Sequence, residues 1–167
     1  WDGIRPIREL AGETHRILGA RADWIEAPFK SYGVQPLMKI TLTRNRQVQE
    51  IFATDEHRWF VRGLLGDPEE RLTNKLLAGD ELISVFAPGT EPDPANASWV
   101  VQSVEHTDRV EEVFCAEVED GHTFTLADNI LTGNCFGCGV GGDAIKFLME
   151  IDGTAFTETV ERLAEKV

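Results

Sequence analysis

The sequence changes character at one peptide bond. Before Asn134–Cys135 the apolar residues recur with the alternation of short strands, broken by turn residues; after it they recur at helical spacing. Residues 37–43 and 47–53 alternate apolar and polar side chains, and Arg44-Asn45 between them suits a hairpin turn. Residues 57–62 read as a further short strand, and Gly79-Asp80 as a turn leading into 81–86. Strand patterns return at 99–104, 110–118, 122–126 and 130–132. Residues 6–11, with Pro6 at an early position, suit a single helical turn. Residues 87–97 hold three prolines and no core-forming pattern, as an exposed loop does. No long amphipathic helix precedes Asn134. Past Cys135 a glycine-rich knuckle leads into a helical pattern over 143–151, with Ala144, Phe147, Leu148 and Ile151 on one face. Thr154 can cap a second helix running to Lys166. The expectation is an all-β domain over residues 1–134 and a mostly helical segment over 135–167.

With 42% apolar residues in 167, the chain can bury a core. Its net charge of −13 lacks the basic footprint of an independent nucleic-acid binder. No apolar run approaches the length of a membrane span. Three cysteines, an odd number, fit a reduced compartment with reactive or metal-bound thiols better than a disulfide framework. The first residue is Trp1, which reads as a piece of a longer precursor or the downstream half of a split one.

An Asn-Cys pair by itself carries no weight. At the end of two strand-like segments it carries chemistry. The Asn134 side-chain amide can attack its own backbone carbonyl, cleaving the Asn134–Cys135 bond and leaving a succinimide. The Cys135 thiol can accept an acyl group from elsewhere. Thr54 and His57, three apart, can face one site, where a histidine donates to a scissile carbonyl or protonates a leaving amide nitrogen. His122, twelve residues before Asn134, can polarise the Asn134 carbonyl or activate its side chain. Each has a plain alternative. His57 could be a surface residue, His122 a strand-end residue bonded to backbone, and Cys115 and Trp59 core packing.

Four blocks of this sequence, in order, resemble the inteins, autocatalytic protein-splicing elements built on an all-β horseshoe called the Hint fold. Residues 2–10 (Asp-Gly-Ile-Arg-Pro-Ile-Arg-Glu-Leu) are similar to the end of the first block. Residues 53–60, with their Thr-x-x-His core, resemble the second, and residues 76–80 the Gly-Asp turn that follows. Residues 113–134 look like the two C-terminal blocks joined. The chain departs from the common pattern at Gly133, where inteins usually carry His, and at Cys115, where they usually carry Asp. Together with Trp59 and Thr132 these departures resemble a subclass that lacks a nucleophile at its own first residue. In that subclass the internal cysteine attacks the upstream peptide directly. The resemblance thus implies catalytic roles for Cys115, Asn134, Cys135, His57, Thr54, His122, Trp59 and Thr132, with no cofactor. It implies a mini-intein, since the chain between Phe60 and Val113 is too short for a homing endonuclease domain. It also implies a missing partner: the first intein strand with its upstream flanking segment, supplied naturally by a split intein or lost by truncation.

The segment from Cys135 through Cys-Phe-Gly-Cys-Gly-Val-Gly-Gly-Asp-Ala-Ile-Lys-Phe-Leu-Met-Glu resembles the zinc-binding domain of bacterial and phage DNA primases. Cys135 and Cys138 have the spacing of half a zinc knuckle. The remaining Cys and His ligands would lie upstream of the intein. The resemblance implies zinc in the spliced host, DNA as the partner of the spliced product, and the cytoplasm of a bacterial or phage-infected cell. Two other readings stand beside a splicing element: a nucleic-acid-binding zinc module of a primase with an unrelated or inactive insert, and a Hint domain that only cleaves.

Overall fold

A computed structural model describes residues 5–90 and 98–134. The expected helices over 143–151 and 154–166, the second half of the proline-rich loop, and both Cys135 and Cys138 lie outside the described residues. Within them the fold is built of strands, with single 3-10 turns at Ile7–Glu9, Thr73–Lys75 and Ala127–Asn129. None of the described helices is long and apolar enough to cross a membrane.

The described residues form eight strands: β1 (Thr14–Leu18), β2 (Trp24–Arg44), β3 (Gln47–Ala53), β4 (Arg58–Arg62), β5 (Pro68–Leu72), β6 (Val100–Ala116), β7 (Thr123–Thr125) and β8 (Leu131–Gly133). One sheet runs β1-β2-β3, with β6 also paired to β2; the other runs β5-β4-β8-β7. All the pairings are antiparallel. The long β2–β6 ribbon is the backbone of the molecule. It survives Gly33 and Pro36 because it is bulged between Ser31 and Val34 and between Pro36 and Met38. Gly33 sits at φ +80°, a conformation that favours glycine. The bulges shift the inward parity. Ala27 and Phe29 are buried before them, and Met38, Ile40 and Leu42 after them.

Two core clusters follow from that switch. Ile40, Leu42, Trp59, Val61, Leu82, Trp99, Val101 and Ile130 are among the residues of the first. Ala27, Phe29, Cys115, Ala116, Val118 and Phe124 form the second, and Leu126 packs against both. Several expectations are corrected in detail. The hairpin between β2 and β3 turns on Asn45 and Arg46, both at positive φ (47° and 67°), one residue later than the Arg44-Asn45 turn expected. That is the left-handed pair that a two-residue hairpin matched to strand twist requires. The two strands expected at 99–104 and 110–118 are one continuous strand, β6. Residues 81–86 make isolated bridges to Val61, Val100 and Ile130 rather than a ladder.

Candidate active site

The site begins where β4 and β8 meet, with Trp59 opposite Thr132. Ahead of β4 the chain turns tightly: the His57 amide donates to the Thr54 carbonyl at 3.2 Å. The His57 carbonyl in turn accepts from the Thr73 amide at 2.9 Å and from the Thr73 hydroxyl at 3.3 Å. The Trp59 indole N–H donates to the same Thr73 hydroxyl at 2.9 Å. Thr73, buried in the 3-10 turn after β5, therefore holds both the backbone of His57 and the ring of Trp59. The two rings meet edge-on, with centroids 4.8 Å apart.

His57 reaches across to β8. Its Nε2 lies 2.6 Å from the Thr132 hydroxyl oxygen, and that hydroxyl donates to the Arg58 carbonyl at 2.9 Å. A hydroxyl has one proton to give. With that proton committed to Arg58, the hydrogen between His57 and Thr132 belongs to His57 Nε2. In the neutral ring Nδ1 is then the acceptor nitrogen.

Thr54, His57, Trp59 and Cys115 line one cleft of about 430 Å³. Its other walls are largely apolar and include Ile7, Leu37, Phe52, Phe114 and Phe124. Cys115, near the end of β6, is almost fully buried and is among the residues that line the cleft. Phe124 joins this cleft to the terminal strand, since it packs in the cluster of Cys115 and pairs with Thr132.

Beyond β8 the chain enters a second set of contacts. The Asn134 backbone amide donates to the His122 carbonyl at 2.8 Å. The Val118 carbonyl accepts twice, from Asn134 Nδ2 at 3.1 Å and from His122 Nδ1 at 2.9 Å. A carbonyl only accepts, so His122 carries its proton on Nδ1, and Nε2 is the basic nitrogen of the neutral ring. His122 itself sits at φ +51°. Asn134 is buried, and its Oδ1 has no hydrogen-bond partner among the described residues. Of the residues singled out in the sequence, Thr54, His57, Trp59 and Cys115 thus share a cleft, Thr132 is bonded to it, and His122 and Asn134 share one carbonyl. Sequence reasoning missed Thr73, Val118 and Arg58. Thr73 and the Val118 carbonyl have no sequence signal, because both act through ordinary backbone or hydroxyl groups.

Residues 114–167 match the family model described as CHC2 zinc finger. A DNA primase of Thermotoga maritima is 44% identical over 48 residues, covering 29% of this chain and 8% of that protein. The DNA primase of Geobacillus stearothermophilus is 58% identical over 33 residues, 20% of this chain and 6% of that one. The chain therefore spans less than a tenth of the length of these primases. Among solved structures, a DnaB intein from Synechocystis superposes with a TM-score of 0.52 at 20% identity, covering 78% of this chain and 86% of that one. A variant of the Ssp DnaB mini-intein gives 0.55 at 20% identity, covering 78% and 88%. The VidaL intein gives 0.52 at 17%, covering 74% of each. The described residues have the all-β Hint fold of the inteins, and the chain that follows them is similar in sequence to the CHC2 zinc finger of DNA primases.

Proposed function

We propose that residues 1–134 are a self-splicing element that interrupts a DNA primase, whose zinc module resumes at Cys135. The observation that supports this best is that His57, on the wall of the cleft that Cys115 lines, meets Trp59 edge-on and is hydrogen-bonded to Thr132, two residues before a buried Asn134. Packing alone gives no reason to join a histidine, a threonine hydroxyl and a thiol at one cleft.

The reaction runs in four steps. The Cys115 sulfur, as thiolate, attacks the carbonyl at the upstream junction; the C–N bond breaks, the amine takes a proton, and a thioester forms. Thr54 and His57 stabilise the oxyanion and help expel the amine. The Cys135 sulfur then displaces Cys115 from the acyl group. Asn134 Nδ2 attacks its own carbonyl carbon, with His122 as the nearby base, and the Asn134–Cys135 bond breaks to free the Cys135 amine. That amine finally attacks the thioester carbonyl, and the flanking segments are joined by a peptide bond. Each molecule turns over once. The amide-to-thioester step is uphill and is drawn forward by the cyclisation, and holding the groups together can offset roughly 7–11 kcal/mol of barrier.

The missing strand with its upstream flank is the partner that enters the cleft. After splicing, Cys135 and Cys138 would supply two thiolates of a tetrahedral zinc site, and the residues upstream of the element the other two ligands. Two thiolates at Cys-x-x-Cys spacing fit half of such a site, and splicing itself calls for no metal. DNA is the partner of the spliced product, and the cytoplasm is its place.

Supplying a synthetic peptide for the missing strand and its flank, and weighing the products, tests the proposal. A ligated product is expected. Asn134→Ala should block release at the downstream junction, and Cys115→Ala should abolish the upstream thioester. A thioester that persists in Cys115→Ala refutes the internal nucleophile. The cleavage-only reading predicts release with no ligation. One observation bears on the zinc-module reading: the CHC2 match starts at Phe114, inside β6, and so crosses the junction. In the fold those residues belong to the two sheets of the splicing domain.

A further inference from the structure

Gly133 is the one residue between Thr132 and Asn134, and its surroundings exclude a side chain. A Cβ placed there would lie 2.8 Å from Arg58 Cβ and 3.3 Å from both Nε and Cζ of the same side chain. Arg58 therefore lies along the Gly133 backbone from its first carbon to its guanidinium. The side chain is largely buried, and its position is fixed at both ends. The Arg58 carbonyl accepts from Thr132, and Arg58 Nη2 is 2.6 Å from Glu70 Oε2 on β5. A cation is thus held beside the peptide that leads into Asn134. The role of His122 is separate, since its Nδ1 is bound to the Val118 carbonyl and not to Arg58 or Gly133.

We infer that Arg58 is a positioning residue for cleavage after Asn134. It holds the Gly133–Asn134 backbone in the attacking geometry and sets a permanent positive charge beside it. This inference rests on the splicing reading above, because it assigns Arg58 to the cyclisation step of that reaction. Succinimide formation develops negative charge on the carbonyl oxygen of Asn134, and a fixed guanidinium favours such charge at every working pH. It also needs Asn134 held against rotation, and a small misplacement of reacting groups costs on the order of 10²-fold in rate. Glu70 offsets only part of that charge, through one oxygen on Nη2. It anchors the fork from the half-exposed side and fixes the direction in which the charge points.

The test is the release of residues 135–167 from the full chain, followed by mass. Arg58→Met keeps an apolar stem over Gly133 and removes the charge, and Arg58→Lys restores a charge without the fork. Arg58→Met is expected to slow release on the order of 10²-fold. Arg58→Lys is expected to recover at least a tenth of the wild-type rate, with both variants retaining the wild-type far-UV spectrum. Formation of the upstream thioester by Cys115, assayed with the missing strand supplied, should keep its wild-type rate in both. Release from Arg58→Met at the wild-type rate overturns the inference, as does Arg58→Lys being no faster than Arg58→Met. An equal slowing of the upstream thioester also overturns it, because that marks a purely structural role. If wild type and Asn134→Ala release the fragment at the same rate, the splicing reading fails and the inference with it.

Discussion

The two halves of the site are built on opposite plans. Around His57 the polar contacts close on one another: Thr73 serves the His57 carbonyl and the Trp59 indole, while Thr132 takes the His57 hydrogen and passes its own to Arg58. Around Asn134 one carbonyl, Val118, is shared by two donors, the supporting histidine is in the left-handed region, and the Asn134 Oδ1 has no partner among the described residues. A buried acceptor without a partner costs about 1–3 kcal/mol. The first region is a fixed wall. The second stores cost at Asn134, the residue that would cyclise in the proposed reaction, beside a histidine whose left-handed backbone persists only because its surroundings impose it. On the proposed splicing reading, the fold puts its rigidity into the cleft that Cys115 lines and leaves Asn134 in a conformation it would gain by leaving.

The wall should therefore fail by unfolding, and the turn by losing activity. The largest effect is expected from Trp59→Ala, which empties a fully buried ring site in the main core cluster. Denaturant unfolding should show a loss of about 3–5 kcal/mol. A smaller loss would mean that Trp59 is held for function more than for packing. Next comes Gly133→Ala, at the seam between the two regions. The added carbon meets the root of the Arg58 side chain at 2.8 Å, which cannot swing away as a flexible tip can. The pair β4–β8 must open, at a cost of about 1–3 kcal/mol. A stable Gly133→Ala protein with normal cleavage would show that the seam is looser than its distances.

Much of this was legible before any coordinates. The strand expected at 47–53 matches β3 residue for residue, because that strand is regular and half exposed. Residues 37–43 were legible as the second half of β2, but the first half was not. There Pro28, Gly33 and Pro36 break the pattern, and the bulges that accommodate them switch the inward face. β1 and β5 left no clear signal: Thr14–Leu18 alternates over only five residues, and Pro68–Leu72 is mostly exposed. The cleft residues were legible through the block pattern, since Thr54, His57, Trp59 and Cys115 fall in it together. Arg58 was invisible because it stands between His57 and Trp59 and reads as an ordinary exposed strand residue. Only the packing against Gly133, seventy-odd residues away, distinguishes it.

His122 tests the comparison most directly, because its backbone and its ring can be separated. His122→Ala places an alanine at φ +51° and removes the donor to Val118. A stability loss of about 1–2 kcal/mol is expected, together with loss of downstream cleavage. His122→Asn tolerates the left-handed conformation and can donate locally, so it should recover most of the stability and none of the cleavage. If His122→Asn cleaves normally, the ring is structural and the basic Nε2 has no part in cyclisation.

The smallest effect belongs to a charged group that touches neither region. Lys39 on β2 lies between Glu105 of β6 at 3.0 Å and Glu50 of β3 at 3.7 Å. Hydrogen bonding and attraction to Glu105 first, then Glu50, raise the Lys39 pKa above its ordinary value. The Lys39 and Ser103 contacts hold Glu105 below its own. The signs follow from linkage. Glu105 contributes stability that is present above the ordinary carboxylate range and lost as pH falls through its lowered value. Lys39 contributes stability that is present below the ordinary lysine range and lost as pH rises through its raised value. Both contributions are full at neutral pH, and both are weakened by solvent and salt because Glu105 is half exposed and Lys39 partly so. Lys39→Met should therefore leave the cleavage rate unchanged and lower the melting temperature slightly at neutral pH. The difference from wild type should shrink in acid and in 1 M salt, where screening extends over only about 3 Å. A salt-independent loss, or a change in cleavage rate, would mean that the β2–β6 ribbon transmits to the site what this exposed pair does.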